Sequence, residues 1–425
     1  MAKFLHIADI HLGFDRYDSP ERTKDFFLAL HDVLCRYALE EQVDFVLIAG
    51  DLFEHRNIQP ATLNQAQICL QQLKNEGIPV LAIEGNHDNR PYGTRTSWLK
   101  YLSEWELLKL LEPGNRAVGE PFYSHWNEDK RSGGYIDLDC GVRILGSNWY
   151  GAAAPRAIEQ VATAIETLPT GPKRQILMFH HGLEGQIARY SGALRYSDLL
   201  PLKEAGVDYL ALGHIHKNYS VENWVFNPGS LEANNIEESV YERGAYLVEI
   251  SQEGIQATLK TDYHQRPNVR LKLTLRGQES QDALIQGAIE VVEAAISKGT
   301  LNPDAAPIVE LRLEGQVGFN RLDLDVRQLQ AVLQQRSRAL IFLLKYEVEE
   351  VAYSSPVSEL TNRIQIEETI FTDLLTAHRD YKKRSTELAK ALMDLKERQL
   401  TGASELELYQ FVQAVLAGNL LEESV

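Results

Sequence analysis

Five short segments of the chain combine histidine with carboxylate or amide side chains: Asp9-Ile10-His11, Gly50-Asp51-Leu52-Phe53, Gly85-Asn86-His87-Asp88, His180-His181-Gly182 and Gly213-His214-Ile215-His216. Each follows an apolar run of the kind that makes a buried strand. Ligands gathered from several strand ends onto one sheet edge can converge on a point, which is what a metal centre requires. Imidazole and carboxylate without thiolate suit Mn, Fe or Zn, whereas an all-oxygen set would suit Mg or Ca. Asp9, His11, Asp51, Asn86, His180, His214 and His216 exceed the coordination of one ion, and Asp51 has two oxygens able to bridge. The set therefore predicts two cations about 3.5–4 Å apart, the separation that clamps the attacking and leaving oxygens of a phosphoryl displacement. Glycines before Asp51, Asn86 and His214 fit close backbone approach to a ligand. Taken singly, Asp-x-His or Gly-Asp-Leu-Phe is weak and common in purely structural settings; the inference rests on the ordered set.

The elements that must position these residues follow from hydrophobic periodicity. Strands over 3–8, 45–49 and 79–83 alternate with helices over 25–40 and 63–76, as in βαβ units. From Phe122 to Trp149 the pattern changes to runs punctuated by Gly133-Gly134 and Cys140-Gly141, which predicts an antiparallel start to a second sheet. A helix over 155–168 and strands over 176–179, 207–212, 219–226, 245–250 and 255–261 complete an α/β domain of residues 1–265. Residues 266–355 read as a second domain with the order strand 269–275, helix 280–297, strand 308–313, helix 324–336, strand 341–348. Residues 356–425 are helical, with amphipathic spacing in 364–375, 388–395 and 406–416.

A chain of 425 residues, 44% hydrophobic and 24% charged, is ordinary globular protein of two or three domains. Its 43 basic against 60 acidic residues give a net charge of −17, a field that repels phosphate backbones. Nucleic-acid binding must therefore be local or metal-assisted. Cys35, Cys69 and Cys140 have no metal-like spacing and read as reduced thiols. The N-terminal segment lacks a signal-peptide pattern and no apolar run is long enough to span a membrane, so a cytoplasmic protein is expected. No Gly-x-x-x-x-Gly-Lys-Ser/Thr loop is present, so any ATP use must come from a partner.

The ordered motifs, together with Leu12-Gly13 and Asn227-Pro228-Gly229-Ser230, resemble the calcineurin-like metallophosphoesterases. Within them the resemblance is to the SbcD-type DNA double-strand-break repair exonucleases, over residues 1 to about 265. It implies an α/β fold: a four-layer α-β-β-α sandwich with a small α/β cap domain (266–355) and a helical C-terminal tail. It also implies a two-manganese centre in which Asp9, His11, Asp51 and His216 hold one ion and Asp51, Asn86, His180 and His214 the other. His87 would be the catalytic histidine, and Asp88 would hydrogen-bond it and set its tautomer. His181 is the alternative to His180. The family often carries a second histidine directly after Gly-Asp-Leu-Phe, where this chain has Glu54, with His55 one place later. The implied activity is 3′ to 5′ DNA exonuclease, with an SbcC-like ABC-type ATPase docking on the tail and dimerisation through helix 25–40 or 63–76. The same centre could instead hydrolyse cyclic nucleotides or other small diesters, or stabilise a scaffold that cleaves poorly.

Overall fold

The computed structural model describes residues 1–114, 121–187, 192–350, 363–378 and 380–417. The strands of the first compact unit are β1 (Ala2–Ile7), β2 (Phe45–Ala49), β3 (Val80–Ile83), β4 (Lys109–Leu110), β5 (Tyr135–Leu138), β6 (Val142–Leu145), β7 (Arg174–His180), β8 (Tyr209–Gly213), β9 (Tyr219–Val221), β10 (Val225–Asn227), β11 (Ala245–Ile250) and β12 (Ile255–Lys260). They form two six-stranded sheets, ordered β12-β11-β1-β2-β3-β4 and β5-β6-β7-β8-β10-β9. β1 to β4 pair in parallel, as do β6, β7, β8 and β10, while β11 returns antiparallel to β1.

Side-chain alternation along each strand builds four layers. On β1 and β2, Leu5, Ile7, Val46 and Ile48 face α1 (Pro20–Leu34) and α2 (Pro60–Asn75). On β7 and β8, Leu177, Phe179, Leu210 and Leu212 face α4 (Ala154–Glu166) and α5 (Tyr196–Glu204), the short α3 (Trp98–Glu104) lying earlier in the chain. Phe4, Phe45, Leu47, Ile176, Met178, Tyr209 and Phe226 fill the space between the sheets, where Phe4 stacks on Phe45 at 4.8 Å and Tyr209 on Phe226 at 4.4 Å. This is the expected α-β-β-α sandwich. Burial on both faces explains why β2 reads as an unbroken apolar run, FVLIA.

Two polar features hold this unit together. His6, fully buried, has Nε2 3.0 Å from the Leu212 carbonyl and Nδ1 2.9 Å from the Tyr209 hydroxyl. A carbonyl only accepts, so Nε2–H donates and Nδ1 accepts from Tyr209, bridging β1 to β8 between the sheets. Where the chain leaves the unit, Arg266 Nη2 donates to Asp25 Oδ1 at 2.7 Å, Arg22 Nη1 to Asp25 Oδ2 at 2.8 Å, and the Arg266 amide to Glu232 at 2.8 Å.

The chain divides into a unit of residues 1–269 with 303–309 and a unit of 270–302 with 310–425. Apart from the first two residues of β13 and of β14, the second contains the sheet β13 (Asn268–Arg276), β14 (Ile308–Val317) and β15 (Ile341–Glu350) with α6 (Gln281–Ser297) and α7 (Val326–Ser337), in the expected strand-helix order. It also contains the helices α8 (Arg363–Thr376), α9 (Ser385–Leu400) and α10 (Glu405–Leu416). The boundary expected near residue 355 lies outside the described residues. Three local differences have clear causes. α1 and α2 begin earlier than apolar spacing suggests because Pro20 and Pro60 start the first turn. The expected strand 219–226 is instead a hairpin, since Glu222 and Asn223 both adopt positive φ and turn the chain back. α3 and α5 are short, and α5 carries an internal proline, Pro201, so periodicity does not reveal them.

Candidate metal centre

The C-terminal ends of β1, β2, β3, β7 and β8 lie along one edge of the two facing sheets, and every expected ligand comes from one of them. Past the end of β1 the backbone keeps parallel pairing with the segment after β2: the Asp9 amide donates to the Gly50 carbonyl, Ile10 and His11 to Asp51, and Leu12 to Leu52, at 2.9–3.1 Å. Asp9, His11, Asp51 and His214 all adopt positive φ, between 51° and 85°. Such strain in residues other than glycine costs about 1–3 kcal/mol each and concentrates at functional sites.

The structure brings the ligands into two groups. In one, donor atoms of Asp9, His11 and His216 converge; in the other, those of Asp51, His180 and His214. His180 Nε2 lies 3.1 Å from Asp51 Oδ2 and 3.3 Å from Asn86 Oδ1, and His214 Nδ1 lies 2.8 Å from the same Asn86 oxygen. Both Asp9 oxygens accept from the His214 amide at 2.8–2.9 Å, and Asp51 Oδ1 accepts from the His87 amide at 2.8 Å. His181 takes no part: it is buried, its nitrogens face the Gly182 and Gly151 carbonyls, and its ring stacks on Trp149.

The nitrogens test whether a cation fits. His11 Nδ1 lies 2.8 Å from Glu54 Oε2, and His216 Nδ1 lies 3.1 Å from Glu238 Oε2. The His216 Nδ1–H donates to Glu238, His11 Nδ1 stands in ion contact with Glu54, and the two Nε2 atoms face one another 3.1 Å apart. The spacing is close to that of two nitrogens each about 2.1 Å from one ion. The donor set fits a divalent cation.

The charges and burial of the cluster act strongly on one another. Burial alone would raise the Asp51 carboxyl, but the charge and hydrogen bond of His180 outweigh it and hold Asp51 well below the usual carboxylate range. Against its own burial, His180 is lifted to about 9 by Asp51. His216 is likewise lifted to about 9, against burial, by Glu238 and Asp9. His214 is pushed down to about 3 by burial and the charge of His180. Burial also raises Asp9.

One expected role changes. Asp88 does not contact His87: its two oxygens accept from the backbone amides of Leu52, Phe53 and Gly85 at 3.1–3.2 Å. It ties the loop after β2 to the loop after β3, and burial with the charge of Asp51 raises its carboxyl to about 6. The His87 ring is set instead by the Glu54 carbonyl, 2.6 Å from Nδ1. His55 lies outside the cluster, exposed, with Nε2 3.1 Å from Asp15.

Four residues at the centre escape sequence reasoning in these roles. Glu54 and Glu238 back the two facing histidines. Trp149 sits against His180, His181 and His214 with ring centroids 5.1–5.7 Å apart. Asn227, seen only as part of a motif, donates from Nδ2 to the Ile215 and Lys217 carbonyls at 2.7 and 2.9 Å and so holds the turn that carries His216. The ordered occurrence of Asn-Pro-Gly-Ser was the one available signal.

A model of the calcineurin-like phosphoesterase family matches residues 2–218, and the chain belongs to that family. The chain is also similar to the DNA double-strand break repair protein Mre11 of Archaeoglobus fulgidus, 32% identical over 243 residues, which cover 56% of this chain and 52% of that protein. Proteins of the same name from Methanosarcina mazei (29% over 263 residues, 61% and 38% covered) and Saccharolobus solfataricus (30% over 266 residues, 60% and 61% covered) match comparably. The matches thus span about 38–61% of these relatives' lengths. No helix among the described residues is long and apolar enough to cross a membrane.

Proposed function

We propose that the chain is a two-manganese DNA nuclease of double-strand-break repair, acting in the cytoplasm as a 3′ to 5′ exonuclease with an ABC-type ATPase as partner. The carrying observation is Asp51: one oxygen faces His180 of one ligand group, the other accepts the His87 amide, and Asp9 and His11 lie on the neighbouring loop paired to it. The similarity to repair proteins named for DNA double-strand breaks supports DNA as the substrate. The mixed imidazole and carboxylate donors suit manganese.

In this reading Asp9, His11, Asp51 and His216 hold one cation and Asp51, Asn86, His180 and His214 the other. When bound, the cations supply Lewis acidity and lower the pKa of a water at the reacting phosphate. His87 donates Nδ1–H to the Glu54 carbonyl, which fixes the ring and leaves Nε2 as the atom that exchanges a proton with the leaving oxygen. Asp88 clamps the two loops that carry Asp51 and Asn86. Trp149 shields the histidines from bulk water on one side.

The test is cleavage of duplex and single-stranded DNA labelled at either end, with manganese and with magnesium, alongside bis-p-nitrophenyl phosphate and cyclic AMP. Manganese-dependent shortening from the 3′ end is expected. Hydrolysis of the small diesters with intact DNA would replace this reading by that of a small-molecule phosphodiesterase.

A further inference from the structure

Three of the four imidazoles differ in what stands behind them. Behind His11 stands the Glu54 carboxylate and behind His216 the Glu238 carboxylate, whereas His180 Nδ1 faces the neutral Ala49 carbonyl at 2.8 Å. Asp9 adds a carboxylate to the first group where the second has the neutral amide of Asn86. Both glutamates are held in place. Glu238 accepts at Oε2 from the Asn234 amide (3.1 Å) and at Oε1 from Asn235 Nδ2 (2.7 Å). Glu54 is anchored by its own amide on the Leu12 carbonyl at 3.0 Å. Glu54 Oε2 and His11 Nδ1 are buried, lie 2.8 Å apart as an ion pair, and make no hydrogen bond with any other described group.

A carboxylate behind an imidazole fixes the Nδ1–H tautomer, aims Nε2 and raises its basicity; losing such a partner costs about 10–100-fold in metal affinity. We propose that Glu54 and Glu238 are positioning residues that make the Asp9, His11 and His216 place the tighter of the two cation sites, so that the ion held by Asp51, Asn86, His180 and His214 is the one that exchanges. This rests on the two-cation reading above. It divides the centre into a resident ion and an ion that comes and goes with the working concentration of metal.

The experiment is a titration of the full-length, metal-stripped chain with manganese, following free ion by electron paramagnetic resonance, for wild type, Glu54→Gln and Glu238→Gln. Thermal unfolding of each stripped protein checks the fold, which the isosteric amide leaves in place. Wild type is expected to bind two ions in two distinguishable steps. Each variant is expected to weaken the tighter step by about 10–100-fold and leave the weaker step within a few-fold. Two equal steps in wild type, variants that leave the tighter step unchanged, or variants that weaken only the other step overturn the inference while leaving two cations in place. A third ion lost with Glu54→Gln would also overturn it, because Glu54 would then be a ligand in its own right beside His11 and His87. A wild-type chain that binds no manganese overturns the two-cation reading and this inference together.

Discussion

Gly85→Ala places one methyl group against the carboxylate assigned to both cations. A Cβ at Gly85 would lie 2.1 Å from Asp51 Oδ1, 2.7 Å from Asp51 Cγ and 2.7 Å from the Asp51 backbone nitrogen. Ordinary van der Waals contact begins near 3.4 Å, so the carboxylate oxygen must retreat by about 1.3 Å (3.4 − 2.1). Rotating the side chain alone does not relieve the clash, since the backbone nitrogen is also too close. Ligand distances in metal sites hold to about ±0.2 Å, so a displacement of this size removes Asp51 as a ligand. Overpacking of this kind costs about 1–3 kcal/mol, or a fall of about 2–12 °C in the Tm of a domain this size. Gly85 does not have the positive φ of Gly50, so strain in the new residue's own backbone does not confuse the result. The assay counts manganese per chain by elemental analysis after dialysis and measures DNA cleavage on the same sample. The expected result is a folded chain with both ions lost or weakly held and cleavage reduced at least 100-fold. Two retained ions with cleavage near wild type would refute the claim that Asp51 serves both.

Three further outcomes follow from the same geometry. His87→Asn removes a proton-transfer group without touching a ligand, so hydrolysis should fall by about 10²–10⁴ while manganese content stays level; loss of metal would show that the role is misassigned. Asp25→Asn leaves Arg22 and Arg266 without the carboxylate they share, a break worth about 3–5 kcal/mol that should lower the urea midpoint with manganese content unchanged; an unmoved midpoint would contradict the role given to this cluster. Finally, His180 and His216, both lifted to about 9, carry protons at pH 7 in the cation-free chain, whereas His214, near 3, does not. Cation binding should then release about two protons per chain, read from calorimetric titrations in buffers of different ionisation enthalpy; identical heats in all buffers would refute it. The sign for the cation-free fold is that raised histidines stabilise it fully below about 6.5 and lose that contribution as pH rises through about 9.

Much of this was legible because the relevant strands are buried on both faces. FVLIA and YLALG admit only apolar residues, so the first polar group after each run is conspicuous, and Asp51 and His214 announce themselves as chemistry at a strand end. What could not be read depends on contacts between distant segments. Glu238 meets His216 across 22 residues with no periodic relation. Asp88 reads as a partner for its neighbour His87, yet its oxygens are taken by amides 35 and 36 residues earlier in the chain. The return of β11 to the first sheet, beside β1, is a matter of tertiary pairing that its own sequence, AYLVEI, does not specify. Nor does the sequence show that Glu54 reaches inward to His11 while His55 reaches outward to Asp15.

The most direct test of the central claim is to crystallise the chain with manganese and measure anomalous scattering at the manganese edge. Two peaks about 3.5–4 Å apart with Asp51 between them are expected, one against Asp9, His11 and His216, the other against Asn86, His180 and His214. A single peak, or a peak held by His181, would contradict that claim.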